Sequence, residues 1–299
     1  MAALVLLGAS AAPAPRAPEV KRTAVIDDRG GERLMRSPLA IALDRKSGEI
    51  VVSSFESGEV IVLDRSGALV ARFGAEAGLV TPYGVAVDAR GRIFVSEVRT
   101  GLIKILGPGG ATLDEIDLSQ LAGRTVSPGR ISLGEDGLLY VADLSGNELL
   151  VLKTTGELVR EIGPFPYLQK GAVLRDGRIV ALSGRGSAVT VFDASGARIR
   201  SFAEHGEPSE RTVSFPTGFA VDGKGRIWIA DAFQHRLKVF SLEGKFLYNV
   251  GRPEETTESG GFFFPVDLCF GNPGELLVLE KGAERIQTFQ VADLAGVAR

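Results

Sequence analysis

PYGVAVDARGRIFVSE, residues 82–97, returns almost unchanged as PTGFAVDGKGRIWIAD at residues 216–231. Four weaker copies begin at Pro38, Pro128, Leu168 and Pro265, so the six starts are spaced by 40 to 49 residues. A glycine follows nine residues after five of the starts, at Gly91, Gly137, Gly177, Gly225 and Gly274. It follows ten after the first, at Gly48. That constancy identifies Leu168 as a start that has lost its proline. A unit of this length cannot bury its own apolar face and must stack on neighbours like itself.

The second copy predicts four strands, at residues 84–88, 92–96, 102–106 and 112–116, with tight turns at Ala89-Arg90-Gly91 and Pro108-Gly109-Gly110. Short β-branched runs between Gly and Asp turns are strands rather than helices. Four strands at this period make one blade of a propeller. The expected fold is therefore all-β: a six-bladed β-propeller with four-stranded antiparallel blades. The last copy stops after its third strand, at 285–290, and residues 23–26 precede the first copy where a fourth strand is missing. Those residues are expected to complete blade six and zip the two chain ends together. The propeller then spans residues 21–291, after an N-terminal segment 1–20 and before a tail 292–299.

Composition agrees. A chain of 299 residues is long for one domain, but propellers reach this size, and 44% hydrophobic content with 38 Gly and 14 Pro fits many strands and turns. No run of 18 apolar residues predicts a membrane span. The net charge of −3 argues against a nucleic-acid partner, whose binding rests on clustered Lys and Arg. Cys269 is the single cysteine, so no internal disulfide forms, and it is expected to pack as a small hydrophobe. The N-terminus, MAALVLLGASAAPAPRAPEVKR, has a brief apolar run and the triplets Ala9-Ser10-Ala11 and Ala12-Pro13-Ala14, which resemble cleavage sites of an export signal. It lacks a basic start. A periplasmic or secreted monomer is the expectation; the alternative is a disordered arm on a cytoplasmic protein.

The segments Pro82-Tyr83-Gly84-Val85-Ala86-Val87-Asp88 and Pro216-Thr217-Gly218-Phe219-Ala220-Val221-Asp222, with the later Val141-Ala142-Asp143 and Ile229-Ala230-Asp231, resemble the NHL repeat. Its downstream Arg and aromatic match Arg236–Phe240 and Arg285–Phe289. The resemblance covers residues 22–291 and implies the six-bladed propeller. Members of that family include RNA-binding regulators, extracellular sensors, an amidating lyase and exported bacterial proteins, so the fold does not choose a function. Structural roles are expected for the repeat residues. Asp88 and Asp222 should accept turn N–H groups. Asp143 and Asp231 should hold the loop after the second strand, and Arg236 and Arg285 should bridge neighbouring blades.

Departures from the repeat point further. Two positions after the start, Ala40, Gly84 and Gly218 are small, whereas the other copies carry Arg130, Lys170 and Asp267. An unpaired buried charge is costly. Either Arg130 and Lys170 hold a small anionic ligand at the channel mouth, or Asp267 neutralises them across the axis. Long connections at 74–81, 119–127, 203–215 and 252–264 share one face with the loops after the second strands. Those loops contribute Phe55, Arg99, Phe233, Gln234, His235 and Lys281, which suit a protein or peptide partner. The alternative is that the loops only pack on one another.

Enzyme readings are weaker. The only histidines are His205 and His235, too few for the three-His zinc site that the amidating lyase implies, though a carboxylate could substitute. None of Asn147, Asn249 and Asn272 begins an innermost strand, where a calcium-dependent lactonase would place ligands. No nucleophile elbow is present, and no helix follows the Gly-rich turns to make a phosphate loop. The expectation is a non-catalytic binding propeller with no cofactor and no bound metal. The alternative is a metal-dependent hydrolase or lyase built at the channel mouth from His235, Asp231, Glu97 or Glu280.

Overall fold

The computed structural model describes residues 18–27, 33–252 and 261–292. Residues 1–17, which carry the export reading, lie outside them, as do 253–260 of the last long connection and 293–299 of the expected tail. Six antiparallel four-stranded sheets are present. Blade one is Pro38–Leu43, Ile50–Ser54, Glu59–Leu63 and Leu69–Phe73; blade two is Pro82–Val87, Ile93–Glu97, Leu102–Leu106 and Thr112–Asp117. Blade three is Pro128–Leu133, Leu138–Asp143, Glu148–Lys153 and Leu158–Ile162; blade four is Leu168–Val173, Ile179–Ser183, Ser187–Phe192 and Arg198–Glu204. Blade five is Pro216–Val221, Ile227–Asp231, Arg236–Phe240 and Phe246–Val250. Each blade's first strand packs against the first strands of the blades before and after it, which places these strands around the axis. The predicted strands are in place, with ends shifted by a residue or two.

Burial follows from this stacking. The second strands of blades one, two, four and five are buried at every residue, because a neighbouring blade covers each of their faces. The outermost strand Thr112–Asp117 is exposed at all but one. The core is a set of wedges between blades: Phe94, Ile103 and Ile105 of blade two, for example, pack on Leu139, Val141 and Leu150 of blade three.

The third-position glycines have a steric cause. A Cβ at Gly84 would lie 2.6 Å from the Gly129 carbonyl oxygen and 2.7 Å from the Ile131 nitrogen, so the next blade's inner backbone fills that space. Ser96 stitches the same seam, its Oγ accepting from Gly84 N–H at 2.7 Å and donating to the Gly129 carbonyl at 2.5 Å. Ser53 does the same between Ala40 N–H, at 3.0 Å, and the Tyr83 carbonyl, at 2.7 Å.

Asp88 and Asp222 act as expected: each Oδ1 accepts two turn N–H groups, from Arg90 and Arg92 and from Lys224 and Arg226. The Arg236 reading is corrected: its Nε donates to the Gln234 carbonyl at 3.1 Å, inside its own blade. Arg285 Nε donates to Glu280 Oε1 at 2.8 Å within blade six, and its Nη2 reaches the Gly261 carbonyl, in the connection from blade five, at 3.2 Å. An Arg at the start of the third strand lies beside the end of the second, which is nearer than the next blade. The short helix Leu118–Ala122, unforeseen, begins one residue before the second long connection, where Asp117 caps it by accepting from Gln120 N–H.

The ring closes through blade six, which is Pro265–Phe270, Glu275–Glu280, Arg285–Val291 and the N-terminal strand Val20–Ile26. Val20 stands opposite Val291 and Ile26 opposite Ile286 in antiparallel register, so the closing strand starts three residues earlier than expected. Ile26 is buried with Ile50 and Leu63 of blade one and Ile286 of blade six. Ile26→Ala is expected to destabilise the whole ring by about 2–4 kcal/mol, the range for truncating a buried aliphatic side chain. Chemical denaturation measures it, and an unchanged midpoint would mean that the strand does not close the ring.

Candidate functional site

Arg130, Lys170 and Asp267 come together at the axis, and each is buried. Lys170 Nζ donates to Asp267 Oδ1 at 2.7 Å. Arg130 Nε stands 3.9 Å from Asp267 Oδ2, and its Nη2 donates to the carbonyls of Leu39, at 2.9 Å, and Val266, at 3.1 Å. The Ile41 N–H also points at Asp267 Oδ2, 3.3 Å away. The blade-three guanidinium thus spans the axis to blades one and six. First strands pair on one side only, so their inner-edge groups need other partners, and this triad supplies some. The arrangement is the cross-axis neutralisation weighed above. It leaves two cations to one anion.

On the long-loop face the anticipated residues do not form one site. Phe55 meets Tyr83 edge-on, with ring centroids 6.4 Å apart. Arg99 and Lys281 are exposed, and Lys281 N–H donates to the Phe264 carbonyl at 2.9 Å. Phe233 and His235 do come together, with three rings the sequence reading had not assigned to binding. Phe233 stacks on Phe215 at 4.5 Å and meets Phe264 at 6.1 Å. His235 lies parallel to Phe263 at 5.5 Å and edge-on to Phe264 at 4.8 Å. The Phe264 N–H donates to His235 Nδ1 at 3.2 Å, which puts the ring proton on Nε2. Phe233 is 58% exposed and Phe215 39%, so this platform over blades five and six is open to solvent. The run Phe262-Phe263-Phe264 at the end of the last long connection was its signal in the sequence.

The carboxylates at the ends of the second strands are fully buried. Their shared task is to hold the preceding interblade connection, which the sequence reading had not assigned. Glu97 Oε2 accepts from Val80 N–H at 3.1 Å and Thr81 N–H at 2.7 Å. Asp143 accepts from Ser127 N–H, Asp231 from Ser214 and Phe215 N–H, and Glu280 from Phe263 N–H. Asp143 and Asp231 also hold the loop after the second strand, as expected, through Ser145 and Gln234 N–H. Among the described residues no three His, Cys, Asp or Glu side chains gather where they could hold one metal ion.

Two of these carboxylates diverge electrostatically. Burial raises the Glu97 carboxyl above its ordinary value, although Thr81 and Val80 N–H groups pull it down. At Asp143 burial also pushes up, but bonds from Ser145 and Arg124 outweigh it and the carboxyl ends below its ordinary value. The Ser145 hydroxyl lowers Asp143 most, followed by Arg124, a cation that bonds Asp143 directly and is paired with Glu148 as well. Glu97 has no such partner, and its Oε1 is buried without a hydrogen bond.

No known family's sequence profile matches the chain, and no curated protein sequence matches it. Solved structures do. A gluconolactonase from Xanthomonas campestris superposes with a TM-score of 0.69 at 19% identity, over 96% of this chain and 99% of that one. A catalytically inactive virginiamycin B lyase from Staphylococcus aureus with quinupristin superposes with a TM-score of 0.61 at 13% identity, over 88% and 82%. A Bacteroides thetaiotaomicron protein of unknown function gives 0.68 at 16%, over 87% of this chain and 70% of that one. At such identities the likeness is one of fold, a six-bladed propeller.

Asp267→Ala is expected to cost about 3–5 kcal/mol, because it leaves Arg130 and Lys170 as buried cations without their carboxylate; urea melts measure it. For Glu97 the sign follows from its raised pKa. Folding takes up a proton there, so stability is lost as pH climbs from the ordinary 4.5 through the folded value. Glu97→Gln removes that loss, so its stability relative to wild type should rise with pH across this window. Paired melts from about pH 4 to about pH 8 test it, and parallel pH profiles would contradict it.

Proposed function

We propose that the chain is a non-catalytic binding propeller of NHL-like type that docks a protein or peptide on its long-loop face. The observation that carries this reading is the aromatic platform in which exposed Phe215 and Phe233 rest on half-buried His235, Phe263 and Phe264. Exposed aromatic clusters of this kind serve as anchors for a partner's apolar side chain. The platform stands on a rigid base, since Asp231 and Glu280 pin the backbone at Phe215 and Phe263. Rings held in this way lose little freedom on binding. Exposed Lys281, its backbone N–H bonded to the Phe264 carbonyl, is a cation next to the platform in the fold and would favour an acidic residue beside the partner's anchor.

The alternative, a metal-dependent hydrolase or lyase, draws on the enzymes among the similar structures. Its candidate ligands Glu97, Asp231, Glu280 and His235 lie in blades two, five and six, and each already accepts a backbone N–H. That occupation favours the binding reading.

Crosslinking of the protein in an extract of its own cells, read by mass spectrometry, compares wild type with Phe233→Ala. The variant removes an exposed ring, so its stability should change by less than about 1 kcal/mol. Its affinity for the captured partner should fall about 30-fold, as for the loss of an anchor residue. Equal capture by both proteins would refute the platform. Turnover that a chelator abolishes would install the enzyme reading in its place.

A further inference from the structure

The short-turn end of the axis holds a feature that the docking face does not use. Beyond the triad the channel widens into a cavity of about 260 Å³, lined by the inner strands from Ile41–Leu43 round to Leu268–Phe270. It leads into a hollow of about 900 Å³ among the turns that join first and second strands. We propose that this channel binds a small hydroxymonocarboxylate, which enters from the short-turn end and sets its carboxylate on Lys170 Nζ.

Charge is the first argument. Among the described residues that line the cavity, Lys170 and, at the mouth, Arg45 are the charged ones, and both are cations. Asp267 is the single carboxylate of the triad, so Arg130 and Lys170 together leave one positive charge in excess. An enclosed net charge is costly until a counter-charge arrives. Lys170 has the donors for it: its ammonium carries three N–H groups and makes one hydrogen bond, to Asp267.

The walls give the rest of the chemistry. Leu43, Val87, Leu133, Val173 and Val221, each only half-buried, offer carbon surface. Between them run the inner edges of six first strands, each paired on its outer side only. Edge N–H and carbonyl groups there need hydrogen-bond partners, which hydroxyl groups on a ligand supply and a bare hydrocarbon chain does not. A cavity of 260 Å³ has room for about nine waters at about 30 Å³ each, hence for a short-chain acid. Among the described residues the mouth carries four cations, Arg45, Lys46, Arg90 and Arg92, against three carboxylates, Asp44, Asp88 and Glu135, so it keeps one positive charge in excess.

This site lies at the end of the axis opposite the aromatic platform and stands or falls apart from it. Isothermal titration with 3-hydroxybutanoate, with 1,3-butanediol as the uncharged control, tests it on the intact chain. The acid should bind, the diol should not, and Lys170→Gln should weaken the acid at least about tenfold, the loss of one charge-assisted hydrogen bond. Phe233→Ala should leave the titration unchanged. If Lys170→Gln does not fold by circular dichroism, Ala172→Leu serves instead; it lines the same cavity two residues further along the strand and leaves the triad intact. It should abolish binding. Absence of heat at millimolar acid, equal binding of the diol, or unchanged affinity in the folded variants would each overturn the proposal.

Discussion

A sheet of four short strands has two apolar faces, and only another such sheet on each side can cover both. That requirement shapes this molecule more than any single contact. It buries the second strands of blades one, two, four and five at every residue and leaves outer strands such as Thr112–Asp117 to solvent. It also explains why the third position of a blade is small at Gly84, where the next blade's inner backbone passes within what would be Cβ distance. The seams are then stitched by small hydroxyls such as Ser53 and Ser96, which satisfy backbone groups of two blades at once.

Where the third position is not small, the physics changes from packing to charge. Arg130 and Lys170 cannot be left alone in a closed ring, and Asp267 answers both from across the axis. Arg130 does more than pair: it hydrogen-bonds the carbonyls of Leu39 and Val266 on two other blades. The triad therefore works as a cross-brace at the axis, while the rings of Phe215, Phe233 and His235 look outward over blades five and six. The two ends of the axis have different chemistries, aromatic on the long-loop side and charged, with both signs present, among the turns on the other.

Much of this was written in the repeat. Fixed spacing from start to turn glycine placed all six blades, and the missing fourth strand of the last copy foretold the closing strand. Turn aspartates such as Asp88 and Asp222 were legible because the N–H donors they accept from lie two and four residues away in the chain. Residues whose partners depend on side-chain reach were not. Arg285 turned inward to Glu280, five residues before it, and the strand-end carboxylates took up loops 16 or 17 residues earlier. The platform was half visible. Phe233 and His235 stand at a repeat position, whereas Phe215, Phe263 and Phe264 sit in connections that differ from blade to blade, so no periodicity marks them. The convergence of Arg130, Lys170 and Asp267 could be anticipated, since a ring brings its third positions to one axis.

The closing strand also sets a timetable. Arg22 and Gln287, bonded side chain to side chain across blade six, are 265 residues apart in sequence. On a ribosome Val20–Ile26 emerges before the first blade, and its partner Arg285–Val291 only after all the other strands of the ring. Until then the earlier blades can stack in order but not form a circle, and the apolar flank of blade one around Ile50 and Leu63 has no cover. Joining such distant ends costs little more entropy than joining nearer ones, so the hazard is exposure time rather than the final step. A nascent arc with a bare flank is the species most prone to pair with another copy, and rapid completion of synthesis is its natural protection.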